Sequence, residues 1–436
     1  MKPLPKGAAL AATLALAAIA LTALAWAHPG LRLVDFISFS ARARRLTEGA
    51  DLVHPLYPVG YPAALVAVKA LVGDALVAGK VISVAAAVGA VGAAARWLGP
   101  AAGVWLLGQL ALLRWGSTEG TDMAAASLAL MSMASASSRR PGLSGALVGA
   151  ACMMRYTALA AVPVAALLAG RPWRFFGVFA LCTAPHWALA LATGAPLLPD
   201  QTGNLAIAAG EPTALWSWET LGRWPGGFGR ALAVSLEDWP TRIAAAGLVV
   251  GLVRRDRRAV GLVAFGLAHA ALIGLAFANP RLMLPSALCW ALGATWLAPR
   301  PWLLAAAGLA VGAHSLRADW PLRPDEAQLS AVVDRCATLE GPFLTSSPWF
   351  FHRRDGWLEP GGLLRRVPGP PHRLDPPTLA RFAREHGVRH VVLDPGRVRA
   401  TWPALAPLLM GAAVQDTGGL THVDGVAGWQ VWAAPE

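Results

Sequence analysis

Residues 143–170 read LSGALVGAACMMRYTALAAVPVAALLAG, an apolar run with Arg155 near its middle and Pro163 beyond it. A charged side chain at the centre of a bilayer costs about 2.5–3.5 kcal/mol on insertion scales, so Arg155 must face a polar cavity or a partner. The topology turns on whether this run crosses once or returns. A single crossing would separate Arg171, Arg174 and the cluster Arg254-Arg255-Asp256-Arg257-Arg258 from Arg96, Arg139 and Arg140. The positive-inside rule asks for all of them, with Arg300, on the cytosolic face. The run is therefore read as two half-helices forming a hairpin from that face, because a helix break at membrane depth is tolerated where protein or water covers it.

Outward from the hairpin, further apolar segments run at approximately 79–97, 101–115, 122–138, 174–194, 241–253, 259–278, 282–298 and 301–315, bounded by charges, Gly or Pro. Near the start, Lys2 and Lys6 precede a charge-free run over 8–27. A cleaved signal peptide would carry an apolar core of only about 7–15 residues, so this run is read as a retained helix with its N-terminus inside. The composition agrees: of 436 residues, 56% are hydrophobic and 14% charged, which excludes an ordinary soluble enzyme. The net charge of +12 punctuates apolar stretches instead of covering one soluble face, so no nucleic-acid partner is expected.

From an inside N-terminus, 28–78, 116–121, 195–240 and everything after 316 face outside. After Ser315, Asp, Glu, Arg, His and Pro become frequent and no run approaches a span. The expected fold is thus a polytopic α-helical membrane protein over 1–315, with about ten to twelve membrane helices including the hairpin, followed by a small extracytoplasmic α/β domain over 316–436. Within the tail, 379–385 reads as a helix capped by His386-Gly387, and 341–346, 388–394 and 428–433 read as strands. Cys152, Cys182, Cys289 and Cys336 show no paired spacing, which supports neither a disulfide framework nor a cysteine metal site.

The first outer loop carries the densest chemistry. Asp35 follows the first span by about eight residues and is well placed to take a proton at the water–lipid boundary. From His54 to Pro62, three prolines and three ring side chains (His54, Tyr57, Tyr61) make a stiff amphipathic segment. It suits either a lipid head group or sugar, or plain interfacial anchoring. Lys80 can snorkel to head groups or meet a phosphate. In the tail, Trp349-Phe350-Phe351 reads as core or as a stacking surface, and His352, Asp355, His390 and Asp394 lack metal-ligand spacing.

Taken together, Asp35, the Arg-rich helix ending in Glu48-Gly49, His54-Pro55-Leu56-Tyr57-Pro58 and Gly79-Lys80-Val81-Ile82-Ser83 resemble the GT-C class of membrane glycosyltransferases. The likeness is to the branch of protein O-mannosyltransferases and the lipid A aminoarabinose transferase. Later pieces fit the same pattern: Gly120-Thr121-Asp122-Met123, Met154-Arg155-Tyr156-Thr157-Ala158-Leu159, Asp200-Gln201 with Asn204, and Asn279-Pro280-Arg281-Leu282-Met283-Leu284-Pro285. The resemblance covers roughly the first 315 residues.

The resemblance implies transfer of a sugar from a polyprenyl-phosphate donor to a glycan, lipid or protein acceptor, with inversion at the anomeric carbon and Asp35 as general base. The departing phosphate needs positive charge and hydrogen-bond donors, for which Arg155, Arg281, Lys80 and His54 are available. Tyr57, Tyr61, Glu119, Asp122, Asp200, Gln201 and Asn204 would line the substrate cavity. Arg155 has a structural alternative, pairing with Asp122 or Glu119, and Arg281 has snorkelling. Many relatives carry an Asp-Glu pair where Phe36 here follows Asp35, and a single carboxylate is a poor cage for a hard cation. Transfer without metal or cofactor is expected, with Glu119 and Asp122 as the further oxygens a divalent ion would draw on. The preference for Arg over Lys and the abundance of Ala and Gly fit a high-GC bacterium, hence its cytoplasmic membrane. A transporter or lipid flippase, or a non-catalytic scaffold displaying the tail, are the competing classes; a transporter would favour matching broken helices in two halves.

Overall fold

A computed structural model describes residues 5–27, 34–49, 58–193, 218–275, 278–316, 326–347 and 373–435, together with Phe350, Leu364 and Val367. The protein is mostly helical, with a small C-terminal sheet. Among the described residues, four helices are long and apolar enough to cross a membrane: Gly7–Ala27, Ala75–Leu98, Pro172–Ala192 and Arg257–Gly274. The chain divides into two compact units.

The first unit comprises 1–32, 46–71 and 77–321. Its described helices are α1 (Lys6–Ala27), α3 (Gly60–Val72), α4 (Ala75–Leu98), α5 (Pro100–Leu107), α6 (Leu110–Gly116), α7 (Thr121–Ser137), α8 (Pro141–Met154), α9 (Ala161–Ala169), α10 (Pro172–Ala192), α11 (Trp218–Ser235), α12 (Trp239–Val253), α13 (Arg257–Gly274), α14 (Leu284–Ala291) and α15 (Pro301–Ser315). In a bilayer, lipid tails are as apolar as leucine, so helices associate through close packing of small residues and interhelical hydrogen bonds. Gly108 and Gly247 show how close: a Cβ on either would lie 2.0 Å from the carbonyl oxygen of Gly308 or Gly293. The segment 101–115, expected as one, is two helices broken at Gly108-Gln109, where Gln109 is extended with ψ of 132°.

The run that opened the sequence reading folds back on itself. Antiparallel α7 and α8 are clasped near their shared turn, where Ser132 Oγ donates to Ser144 O at 2.9 Å and Ser144 Oγ to Ser132 O at 3.0 Å. α8 ends at Arg155, whose φ of −157° and ψ of 128° are extended. A short 3-10 turn over Tyr156–Ala160 follows, and α9 returns until Leu168 lies with Met133 against Gly261 near the start of α13. α10 then runs alongside α8, with Phe175 O against Gly145 and Cys182 against Gly149. The turns holding Arg139-Arg140 and Arg171 therefore fall at the same end of the unit.

Arg258 joins that end, its Nη1 donating to Trp97 O at 3.4 Å beside Arg96. Asp256 organises the turn, accepting from the Arg258 backbone N–H at 2.9 Å, Arg258 Nη2 at 2.8 Å and Trp296 Nε1 at 3.2 Å. It is the N-cap of α13. The Arg258 side-chain N–H groups hold its carboxyl below the usual carboxylate range. That stabilisation is complete above the unfolded carboxylate value of about 3.9 and is lost as pH falls through the depressed folded value. Asp256→Ala is expected to cost about 1 kcal/mol, the usual scale for a lost cap, read as a lower melting temperature at neutral pH. That deficit should shrink when both proteins are melted in acid, where the wild-type carboxylate is protonated as well.

The second unit comprises 33–45, 72–76 and 322–436. Its boundary falls after 321, a few residues past the composition change, and it includes most of α2 (Val34–Thr47), which the sequence reading assigned to the membrane domain. Phe36, Ile37 and the consecutive residues Phe39 to Ala43, Ser40 and Arg42 among them, are buried, while Arg44 and Arg45 sit in the last turn.

In the tail, α16 (Glu326–Cys336), β1 (Phe343–Thr345), α17 (Pro376–Glu385), β2 (His390–Leu393), α18 (Pro395–Thr401), a 3-10 segment (Pro403–Ala413), β3 (Thr421–Val426) and β4 (Trp429–Ala433) build an α/β layer. The sheet order is β1-β2-β4-β3, with β1 parallel to β2 and the other pairs antiparallel. Asp375 caps α17 by accepting from Thr378 N–H at 2.9 Å, and Leu379, Phe382 and Ala383 bury one face against Val391 and Leu393. Positive φ at Ala427 (51°) and Gly428 (85°) makes the two-residue connection that joins β3 to β4.

Candidate functional site

At the end of the first unit opposite the basic turns, α7 begins at Gly120, whose φ of 144° is left-handed territory that glycine enters without a Cβ penalty. Its N–H donates to Tyr61 Oη at 2.9 Å, and a Cβ on Gly60 would collide with Met153 O, so the first turn of α3 packs against the end of α8. Ser83 Oγ, one turn beyond Lys80 on α4, reaches toward Gly120 O at 3.5 Å. Thus the start of α7, the break after α8 and the start of α3 meet in one place.

The break presents Arg155. Its Nη1 donates to Asp122 Oδ1 at 2.8 Å and to Thr121 Oγ1 at 2.9 Å, while Arg281 Nε stands 3.4 Å from Asp122 Oδ2. Arg281 arrives from the turn preceding α14, where Asn279 Oδ1 accepts from Leu282 N–H at 2.8 Å. The side chains are largely desolvated, at 17%, 16% and 6% exposure for Arg155, Arg281 and Asp122. A small cleft bounded by Asp122, Arg155, Thr157, Phe265, Leu282 and Pro285 opens beside them. Two guanidinium groups converge on one carboxylate, and Lys80 and Glu119 are buried as well. Of the two pairings open to Arg155 on sequence, the ion pair is with Asp122.

Of the other expected site residues, Tyr61 is wholly buried and bonded to Gly120, so it supports the start of α7. Lys80 lies in the second turn of α4, because that helix begins at Ala75, earlier than the expected 79. Asp35 lies in the first turn of α2, and its side chain is outside the described residues, as are His54, Tyr57, Asp200, Gln201 and Asn204. Among the described residues no three His, Cys, Asp or Glu side chains gather as a metal site, and none of the four cysteines is in a disulfide.

Two polar pairs escaped the sequence reading. Tyr156 Oη and His186 Nε2 are 2.7 Å apart, next to the Arg155 break. His269 Nδ1 and Ser286 Oγ are 3.0 Å apart on neighbouring α13 and α14. The signal for both was present, since an ionisable residue inside an apolar run is a functional candidate by default. No family model, curated protein or solved structure matches the chain.

Proposed function

We propose that the protein is an integral membrane glycosyltransferase of the GT-C kind, moving a sugar from a polyprenyl-phosphate donor to an acceptor on the outer face of a bacterial cytoplasmic membrane. The observation that carries the reading is the meeting of Arg155, at the break after α8, and Arg281, in the turn before α14, on the carboxylate of Asp122. Two cations held at low dielectric are costly unless they serve an anion, and planar guanidinium groups match phosphate oxygens two at a time. Their place at the end opposite the arginine-rich turns fits a donor whose head group lies at the outer surface.

In this reading the acceptor hydroxyl or amine attacks the anomeric carbon while the bond from that carbon to the phosphate oxygen breaks. The electron pair leaves on the polyprenyl phosphate, whose added charge Arg155 and Arg281 stabilise. The acceptor proton passes to Asp35. Ten to twelve crossings, counting the shorter apolar helices and the α8–α9 hairpin, and an extracytoplasmic second unit belong to the same reading.

Two experiments test it. Lysine keeps the charge but loses paired donation, so Arg155→Lys and Arg281→Lys should each weaken the apparent affinity for a polyprenyl-phosphate sugar about tenfold, roughly 1.4 kcal/mol. Unchanged affinity in both folded variants removes these arginines from the donor site. Separately, alkaline phosphatase fused after Glu436 should be active; a well-expressed but inactive fusion contradicts the orientation.

A further inference from the structure

The end of the first unit that carries the basic turns is packed closely enough to present one surface. Gly251 in the last turn of α12 lies against Ala259 and the Trp296 ring, Leu168 and Met133 meet at Gly261, and Arg258 reaches Trp97 O. The turns brought together there, 96–100, 138–142, 170–174, 254–258 and 297–302, hold ten arginines and one carboxylate, Asp256. Arg258 occupies that carboxylate at 2.8 Å. Arg139, Arg140, Arg171, Arg254, Arg255 and Arg257 are exposed and pair with no carboxylate among the described residues. Like charges crowded in this way repel one another until an anion lies among them.

Two of these arginines stand where the backbone disfavours them. After α7, Arg140 N–H donates to Ser135 O at 3.0 Å and Arg139 N–H to Ala136 O at 2.9 Å; after α12, Asp256 N–H donates to Gly251 O at 3.0 Å and Arg255 N–H to Leu252 O at 2.8 Å. These are helix caps in which one residue takes positive φ, here Arg139 at 54° and Arg255 at 55°. Glycine usually holds that place, as Gly170 does at 66° after α9, because a side chain there costs conformational energy. Orienting a span does not call for it, since a basic residue anywhere within about 15–20 residues of the span end serves. What the cap supplies is a guanidinium carried on a fixed, hydrogen-bonded turn. Two exposed indoles share this end: Arg171-Pro172-Trp173 opens α10 and Arg300-Pro301-Trp302 opens α15, with Trp173 88% and Trp302 61% exposed. Indoles settle at head-group level in a bilayer, so the pairing of arginine with tryptophan fits a lipid better than a soluble anion.

We propose that this end of the first unit is a binding surface for the head groups of anionic phospholipids, with Arg139 and Arg255 as its fixed contacts and Trp173 and Trp302 as interfacial anchors. The proposal goes beyond the transferase reading and does not depend on it.

The test titrates phosphatidylglycerol and, in parallel, phosphatidylcholine into the purified full-length protein in neutral detergent. Apparent affinities are read by native mass spectrometry, and melting temperatures are measured without lipid. Wild type should bind phosphatidylglycerol the more tightly. A basic residue near an anionic lipid surface contributes about a fivefold factor, so Arg139→Gly combined with Arg255→Gly should weaken phosphatidylglycerol binding about 25-fold and leave phosphatidylcholine binding unchanged. The same variant should melt at a higher temperature, because glycine enters the cap conformation without strain. Arg139→Asn with Arg255→Asn, which tolerates positive φ, takes its place if the glycine pair does not fold. Arg381→Gln with Arg384→Gln removes as much charge from α17 and should bind phosphatidylglycerol as wild type does. A raised melting temperature with unchanged phosphatidylglycerol affinity overturns the proposal and leaves the two arginines an orienting role alone. An equal loss in the α17 variant also overturns it, since net charge would then be the cause. Displacement of bound phosphatidylglycerol by inorganic phosphate at equal concentration overturns it as well, in favour of a free-phosphate site.

Discussion

Replacing Asp35 with asparagine is expected to lower sugar transfer by about two to four orders of magnitude, the range for removing a positioned acid–base group. Asparagine has nearly the same shape, so the melting temperature and the affinity for the lipid-linked donor should stay at wild-type values. That separation distinguishes loss of the base from loss of the donor site. Near-normal transfer by purified Asp35→Asn would leave the arginine site standing and remove the base.

Asp122 should produce the largest loss of stability. It is bonded to Arg155 and lies 3.4 Å from Arg281, so Asp122→Leu takes the carboxylate away from the desolvated Arg155. Breaking a buried pair by removing one partner costs about 3–5 kcal/mol, because the remaining charge is left without compensation. The expected readout is a large fall in melting temperature in detergent. Combining Asp122→Leu with Arg155→Met should recover part of that loss, since that stranded charge is gone, yet donor binding should not return. A double variant no more stable than Asp122→Leu alone would show that the ion pair is not what the site depends on.

Much of the helical unit was legible because a bilayer constrains a sequence more than water does. The hairpin followed from the side on which Arg171 and the Arg254–Arg258 cluster were expected to lie, and the need of Arg155 for a partner followed from the cost of a mid-segment charge, whereas the position of the break, at Arg155 and not at Pro163, did not. The choice of Asp122 over Glu119 was not legible, because it depends on the register of α7 against α8, which Gly120 and the Ser132–Ser144 clasp determine. α3 was missed because Gly60-Tyr61-Pro62 reads as extended chain; yet Pro62 falls in the first helical turn, where no amide donor is needed. α11 went unnoticed inside a loop because Pro225 and four glycines interrupt its apolar pattern. β3, Thr421–Val426, alternates poorly and carries an irregularity between His422 and Asp424, as edge strands often do.

The central claim is tested most directly by incubating the purified protein, reconstituted in vesicles, with polyprenyl-phosphate hexoses and pentoses plus an envelope-lipid and glycan fraction as acceptor. The products are then read by mass spectrometry. The account predicts free polyprenyl phosphate and a glycosylated acceptor of inverted anomeric configuration from at least one donor, both greatly reduced in Asp35→Asn. Movement of the intact lipid-linked sugar between leaflets, with no free polyprenyl phosphate formed from any donor, would contradict it and assign the arginine pair to transport.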